Sequence, residues 1–303
     1  MSAIPKFKLN TGASIPAIGL GGWGGMEDEE RAASVQWMVP ALKTGYRHID
    51  TAWHYGTEKA VSQAVKESGI PREEIWITTK LPLHHHSRVQ ESFQESLDNL
   101  GMDYVDLYLL HWPQPIAYDP SDPWGKATPK AVDKPTFNDI WAEIEKIYES
   151  GKAKAIGVSN FSIKNLEKLL TTAKVVPAVN QVELHPYLAQ PELKAYCDAK
   201  GILLTAYAPT GYKNVLTNPL IVELAEKYKV SSAQIVLAWH LARGVVAVPK
   251  SSNPQRQKDN ITLPTLEEED VKKISSLDRG ERLCNKPDEN GMVFGWSAEQ
   301  LGW

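Results

Sequence analysis

Short runs that are apolar throughout alternate along the chain with stretches whose apolar residues recur every three or four positions. The runs are Ile18-Gly19-Leu20, His48-Ile49-Asp50, Ile75 to Thr78, Val105 to Leu110, Ala153 to Val158, Val176 to Val182, Leu203 to Ala208 and Val245 to Val248. Runs without polar alternation predict strands buried on both faces, as in a parallel sheet. Between them, Glu58 to Ser68 gathers Ala60, Val61, Ala64 and Val65 on one helical face. Ser87 to Leu100 does the same with Val89, Phe93, Leu97 and Leu100, and stops at Gly101. Phe137 to Ser150, Ser162 to Thr171 and Pro191 to Lys200 follow the same pattern. Strand and helix alternating eight times predict a (β/α)8 barrel, with residues 1–303 forming one domain.

Three stretches fall outside the repeat. Residues 7–15, Phe-Lys-Leu-Asn-Thr-Gly-Ala-Ser-Ile, read as an N-terminal β-hairpin with a glycine turn, placed to plug the barrel floor. Residues 113–135 are proline-rich without periodicity, and a loop that long in a compact domain is usually functional or disordered. The tail from Asn285 to Trp303 shows no helical pattern but carries Trp296 and Trp303, so it is expected to lie over the barrel mouth.

Composition narrows the partners. With 42% hydrophobic and 23% charged residues the chain has the make-up of an ordinary globular protein. A net charge of -4 gives no basic footprint for nucleic acid or an anionic membrane surface, so an anionic ligand needs a local site. No apolar run approaches the length of a membrane span. Cys197 and Cys284 lie in no metal or disulfide spacing, which predicts a reducing compartment, the cytoplasm. No apolar interface stripe stands out, and a monomer is expected.

Three of the runs end in residues foreign to a core: Asp50, Lys80 and His111, with Tyr55 a few residues beyond the first. In such barrels the chemistry sits at the C-terminal ends of strands. Any one of these residues alone reads as a rim group; at three successive strand ends they read as one site. Reduction of a carbonyl by hydride needs a proton donor. A free tyrosine, with a pKa of about 10, donates poorly. A neighbouring ammonium favours the phenolate, and a carboxylate keeps that ammonium charged and placed. Tyr55, Lys80 and Asp50 supply these parts, and His111 can orient the carbonyl oxygen.

Around these residues the sequence closely resembles the aldo-keto reductase family. The matching stretches are Gly45 to Gly56, Ile77-Thr78-Thr79-Lys80, Leu107 to Pro113, Gly157 to Phe161, Asn180 to Pro186 and Val248-Pro249-Lys250-Ser251, all in the family's order. The resemblance implies NADPH-dependent reduction of aldehydes or ketones without a metal. It makes Tyr55 the proton donor, tuned by Lys80 and Asp50, with His111 orienting the substrate. It places the nicotinamide carboxamide on Ser159, Asn160 and Gln181, the ring on Tyr207, and the adenine near Asn260. Gly22 and Trp23, at the first strand's exit, fall on the cofactor side.

The coenzyme's phosphate also has a physical argument. Lys250-Ser251-Ser252-Asn253-Pro254-Gln255-Arg256 reads as a strand end followed by an Asn-capped helix start with two cations. That suits the 2′-phosphate of NADPH, with Lys250, Ser251 and Arg256 as contacts. The expected substrate pocket comprises Trp23, His54, Trp112 and Trp296. His54, where the family often has an apolar residue, points to a substrate with hydroxyl groups or a carboxylate: sugar-, uronate- or glycerol-derived. After Lys80 comes Leu81-Pro82, in place of a frequent pocket tryptophan. His84-His85-His86 has no carboxylate or cysteine at ligand spacing and reads as a solvated loop, with no metal expected. Two rival readings stand beside the reductase: a catalytically silent NADP(H)-binding barrel of the same family, and an aldolase using Lys80 as a Schiff-base nucleophile.

Overall fold

The computed structural model describes residues 4–122 and 130–303. Antiparallel strands β1 (Lys6–Lys8) and β2 (Ser14–Pro16) come first. Eight parallel strands follow: β3 (Leu20–Gly21), β4 (His48–Asp50), β5 (Trp76–Leu81), β6 (Leu107–Leu110), β7 (Ile156–Ser159), β8 (Val179–Glu183), β9 (Leu203–Tyr207) and β10 (Val246–Ala247). Each pairs with its neighbours in sequence order. Ile18 bridges Ala247 in parallel, and Gly19 N donates to Ala247 O at 2.9 Å, so first and last strands meet and the ring closes. All eight predicted runs are strands, most shifted by one to three residues.

The two-residue strand period sorts every strand's side chains into two sets. On β6, Tyr108 and Leu110 face outward into a large core with Phe93, Leu97, Ile140 and Trp141 from the surrounding helices. Leu107 and Leu109 face inward, with Trp76, Val179 and Val246 from other strands. Leu9 and Ile15 of the N-terminal hairpin complete that inner cluster, closing the floor as expected. Helices such as Glu58–Ser68 and Val89–Leu100 end in glycines with φ of 70° and 61°, a conformation glycine adopts without a Cβ penalty.

Two expectations are corrected. The tail contains regular structure: β11 (Met292–Val293) pairs with β12 (Trp296–Ser297), and Ser297 caps a short helix, Ala298–Leu301, through a capping box with Gln300. That box spans only four residues, too few to leave a periodic signature. The tail does lie over the mouth: Val293, Trp296 and Leu301 pack on Leu83, Trp112 and Ile116 beyond the C-terminal ends of β5 and β6. His84, His85 and His86 are buried, not solvated. His84 and His85 lie in a 3-10 turn, Leu83–His85, with His86 just after it; the His84 and His85 rings pack edge-on to Trp53, and His85 also to Tyr118. Within the 113–135 loop, residues 123–129 lie outside the described residues.

Gly157 tests the packing. A Cβ there would stand 2.6 Å from Val179 O and 2.8 Å from Leu109 Cδ2, so inner-face packing leaves room only for hydrogen. Gly157→Ala is expected to cost about 1–3 kcal/mol, seen as a lower unfolding midpoint in urea.

Candidate active site

The inward positions of the strands change character with height. Apolar Leu107, Val179 and Val246 lie low in the barrel. One or two pleats higher the same faces carry Asp50 on β4, Lys80 on β5, Ser159 on β7, Gln181 on β8 and Tyr207 on β9, with His111 just past β6. The site is thus the barrel's last inward layer, and strand parity brings its residues together.

Lys80 is fully buried. Its Nζ donates to Asp50 Oδ1 at 2.6 Å and to Thr51 O at 2.8 Å. It also hydrogen-bonds the Tyr55 hydroxyl and lies 4.8 Å from the centre of that ring. Gln181 Nε2 holds the other Asp50 oxygen at 2.7 Å. Tyr55 arrives on a 3-10 turn, Trp53–Tyr55, that ends at Gly56 with φ 65°, where a Cβ would press on Arg31. Its ring sits edge-on to Trp23 at 5.4 Å and to His111 at 5.7 Å.

Electrostatics corrects one expectation. Burial raises the Tyr55 pKa, and Lys80 pulls it back only in part, so the phenol ends less acidic than a free tyrosine. Burial also opposes the Lys80 ammonium, but Asp50 and Tyr55 more than offset it, and the lysine stays charged. Burial, with Lys80 adding to it, holds His111 well below the usual imidazole range. A neutral imidazole has one N–H to donate.

A second polar set adjoins the first. Asn160 takes a left-handed turn at φ 64° just after β7, a conformation asparagine tolerates. Its Nδ2 donates to His111 O at 2.9 Å, and its Oδ1 accepts from the Tyr207 hydroxyl at 2.7 Å. Ser159 Oγ donates to Gln181 O at 2.7 Å. At Gly22 a Cβ would lie 2.8 Å from Asp50 O, so this glycine permits close strand approach at the edge of the mouth. Lys250 and Arg256 are exposed and Ser251 is nearly buried. Asn253 caps the helix Pro254–Asn260 by accepting from Arg256 N at 3.0 Å. Asn260 is buried beside the Tyr46 hydroxyl.

A model of the Aldo/keto reductase family matches residues 17–279. The chain belongs to the aldo/keto reductase family. The reductase is 45% identical over 295 residues to a glycerol 2-dehydrogenase (NADP(+)) of Saccharomyces cerevisiae, covering 92% of this chain and 93% of that protein. It is 43% identical over 285 residues to an aldehyde reductase of the same yeast, covering 90% of each. Its fold is similar to that of a Bombyx mori aldo-keto reductase in complex with NADP, with TM-score 0.85, 33% identity and coverage of 97% of this chain and 99% of that one.

Of the expected pocket residues of the reductase, Trp23 is 39% exposed beside Tyr55, and His54 immediately precedes Tyr55. Trp112 and Trp296 are both buried where the tail packs on the barrel, with the more exposed Phe294 ring 5.0 Å from Trp112. A cleft of about 660 Å³ opens among Ser162, Gln190, Arg282 and Trp303. Neither Tyr55, Lys80 nor His111 lines it, so its size does not mark it as the seat of the chemistry.

Sequence reasoning missed Glu183. This buried carboxylate at the end of β8 accepts from the backbone N–H of Leu283 at 2.5 Å and of Cys284 at 2.9 Å, with His185 Nε2 at 3.1 Å. Arg282 stands 3.7 Å from it and stacks over Trp303 at 3.5 Å. Asn285 then donates to the Tyr207 hydroxyl at 2.7 Å. One carboxylate so pins residues 282–285 across the mouth of the reductase. Its partners lie about a hundred residues away as backbone amides, which no motif records. Glu183→Ala should free this strap, with Leu283 and Cys284 amides exchanging with solvent at least about tenfold faster, the worth of one hydrogen bond; unchanged exchange would refute the pinning.

Proposed function

We propose that this chain reduces small aldehydes and ketones with NADPH, and that Tyr55 is the proton donor. The observation that carries the reading is the Tyr55 hydroxyl held by a fully buried Lys80 whose charge Asp50 secures at 2.6 Å. The coenzyme, when bound, supplies hydride. Neutral His111 donates its N–H to the carbonyl oxygen and fixes its orientation. Tyr55 then gives that oxygen its proton, and Lys80 stabilises the phenolate left behind. Gln181 keeps Asp50, and through it Lys80, in line.

The residues present fit the coenzyme. Tyr207, tethered at its hydroxyl by Asn160 and Asn285, offers a ring of fixed position. Ser159, Asn160 and Gln181 present an amide-binding polar set beside it. Lys250 and Arg256 form no ion pair among the described residues, although Lys250 lies 5.2 Å from the Trp37 ring. Two uncompensated cations at a capped helix start support 2′-phosphate recognition, with Ser251 and Asn260 alongside. The relatives' names, a glycerol 2-dehydrogenase, an aldehyde reductase and an aldose reductase, support glycerol- or sugar-derived carbonyls among the expected substrates, while none names a uronate. Gly22, Trp23, His54, Trp112 and Trp296 complete the assignment of the mouth. Two free cysteines, one of them buried, support a reducing, cytoplasmic setting. No helix among the described residues is long and apolar enough to cross a membrane. We assign a monomer, since the active layer is built from one ring of strands.

Tyr55→Phe keeps the ring and removes the proton. Reduction of a short aldehyde should fall by about 10²–10⁴-fold in kcat, with NADPH still quenching tryptophan fluorescence at the wild-type concentration. Retained turnover would overturn the assignment. Because the folded Tyr55 pKa is raised, the acid form persists through neutral pH. Carbonyl reduction should therefore stay flat and decline only above the usual tyrosine value of about 10, while alcohol oxidation, which needs the phenolate, rises with pH. A reduction limb falling near pH 7 would contradict this. Arg256→Ala should raise the KM for NADPH about tenfold, as loss of a charge-assisted hydrogen bond does, and leave that for NADH nearly unchanged; equal wild-type turnover of both coenzymes at low concentration would sink the phosphate site.

A further inference from the structure

Five of the chain's eight histidines crowd the exits of three neighbouring strands: His54 after β4, His84, His85 and His86 after β5, and His111 after β6. His54 and His84 meet edge-on with ring centres 5.6 Å apart, and His84 and His85 at 4.3 Å. His54 and His86 both lie close enough to His111 to oppose its protonation.

These rings are not equally committed. His85 is used mainly for packing, with Nδ1 2.9 Å from Ser92 Oγ and its ring edge-on to Trp53 and Tyr118, although its Nε2 has no hydrogen-bond partner among the described residues. His86 is 3% exposed, yet neither of its ring nitrogens has a hydrogen-bond partner among the described residues. Nδ1 of His54 and of His111 are likewise buried without one. Buried polar atoms are normally satisfied, and a substrate reaching the reaction centre can satisfy these. Burial, reinforced by the neighbouring imidazoles, keeps His54 at about 4 and His86 at about 3. Each therefore offers one donor and one acceptor at neutral pH. A hydroxyl group, itself donor and acceptor, complements such a ring; a carboxylate or phosphate only accepts. Arg31, a cation near His54, is turned to Asp28 and to the Gly25 carbonyl, so it does not make the pocket anionic-selective.

We propose that His54, His84 and His86 form a hydroxyl-recognition subsite beside Tyr55 and His111, selecting short uncharged carbonyls that bear hydroxyl groups next to the reacting carbon. The subsite rests on the reductase reading and narrows its substrate class: glycerol-derived aldehydes and ketones fit, uronates do not. His54 and His86 provide the hydrogen bonds. His84, stacked between His54 and His85, sets the tilt of the His54 ring.

The test compares glyceraldehyde with propanal, equal in chain length, in NADPH oxidation by the full chain. Wild type should favour glyceraldehyde in kcat/KM by about tenfold, the value of one added hydrogen bond. In His54→Val the glyceraldehyde-to-propanal ratio should drop about tenfold, mostly through the KM of glyceraldehyde. His54→Asn, which keeps a donor and an acceptor, should recover most of the ratio. A ratio unchanged within twofold in His54→Val, or equal in the Val and Asn variants, overturns the subsite. A wild-type preference for glyceraldehyde 3-phosphate or glucuronate over glyceraldehyde also overturns it. Should wild type oxidise NADPH with neither glyceraldehyde nor propanal, the reductase reading falls with it, whereas propanal turnover without hydroxyl preference removes the subsite alone.

Discussion

The buried pair of Lys80 and Asp50 is the constraint on which the rest of the mouth depends. An ammonium has three N–H bonds to donate. In this fold Asp50 Oδ1, Thr51 O and the Tyr55 hydroxyl take one each. Removing one partner of such a pair leaves an uncompensated buried charge, at a cost of about 3–5 kcal/mol. Every geometric demand of the site follows. β4 and β5 must be adjacent and in register, Asp50 opposite Thr78, so that both polar ends rise to one height. Gln181 must reach over from β8 to occupy the second carboxylate oxygen. Through Gln181 the pair also ties β4 and β5 to β8, which neighbours neither in the sheet.

Height in the barrel separates stability from chemistry. The low inward layer is apolar and sealed by the hairpin residues Leu9 and Ile15, so water does not reach the ion pair from below. Above it, the tail supplies a roof: Trp112, Trp296 and Leu301 in one cluster, and residues 282–285 fastened to Glu183. The strap and the active layer meet at Tyr207, whose hydroxyl links Asn285 to Asn160. Two side-chain hydrogen bonds thus link the strap to the polar set next to His111.

What could be read beforehand follows from these same layers. Strand parity is a local property, so short apolar runs ending in Asp50, Lys80 and His111 announced both the barrel and its reactive rim. Glu183 gave no warning because its partners are amides of residues 283 and 284, and amides carry no sequence identity. Trp296 and Trp112 were visible as aromatics, but that the tail lays Trp296 on Trp112 depends on a four-residue helix and a two-residue strand pair, below the length at which periodicity speaks. The histidine triplet misled for a related reason. Imidazole reads as polar in a pattern, whereas a neutral ring packed on Trp53 behaves as an aromatic. The Tyr55 pKa was anticipated from its ion partner alone; burial, which sequence does not reveal, outweighed it.

That outcome changes how the site should be understood. Were the lysine to make Tyr55 a free phenolate, carbonyl reduction would lack its acid at neutral pH. Burial instead keeps the proton on the phenol until it is needed. The lysine acts in the other half of the step, when the departing proton leaves negative charge on oxygen and a cation already stands at hydrogen-bond distance. This interaction strengthens along the reaction, as does the His111 hydrogen bond to the carbonyl oxygen, and such interactions accelerate it. The surrounding imidazoles, held neutral by the same burial, add no competing charge. Around Tyr55 itself, one compensated ion pair and neutral imidazoles focus electrostatic work on the atom where charge develops.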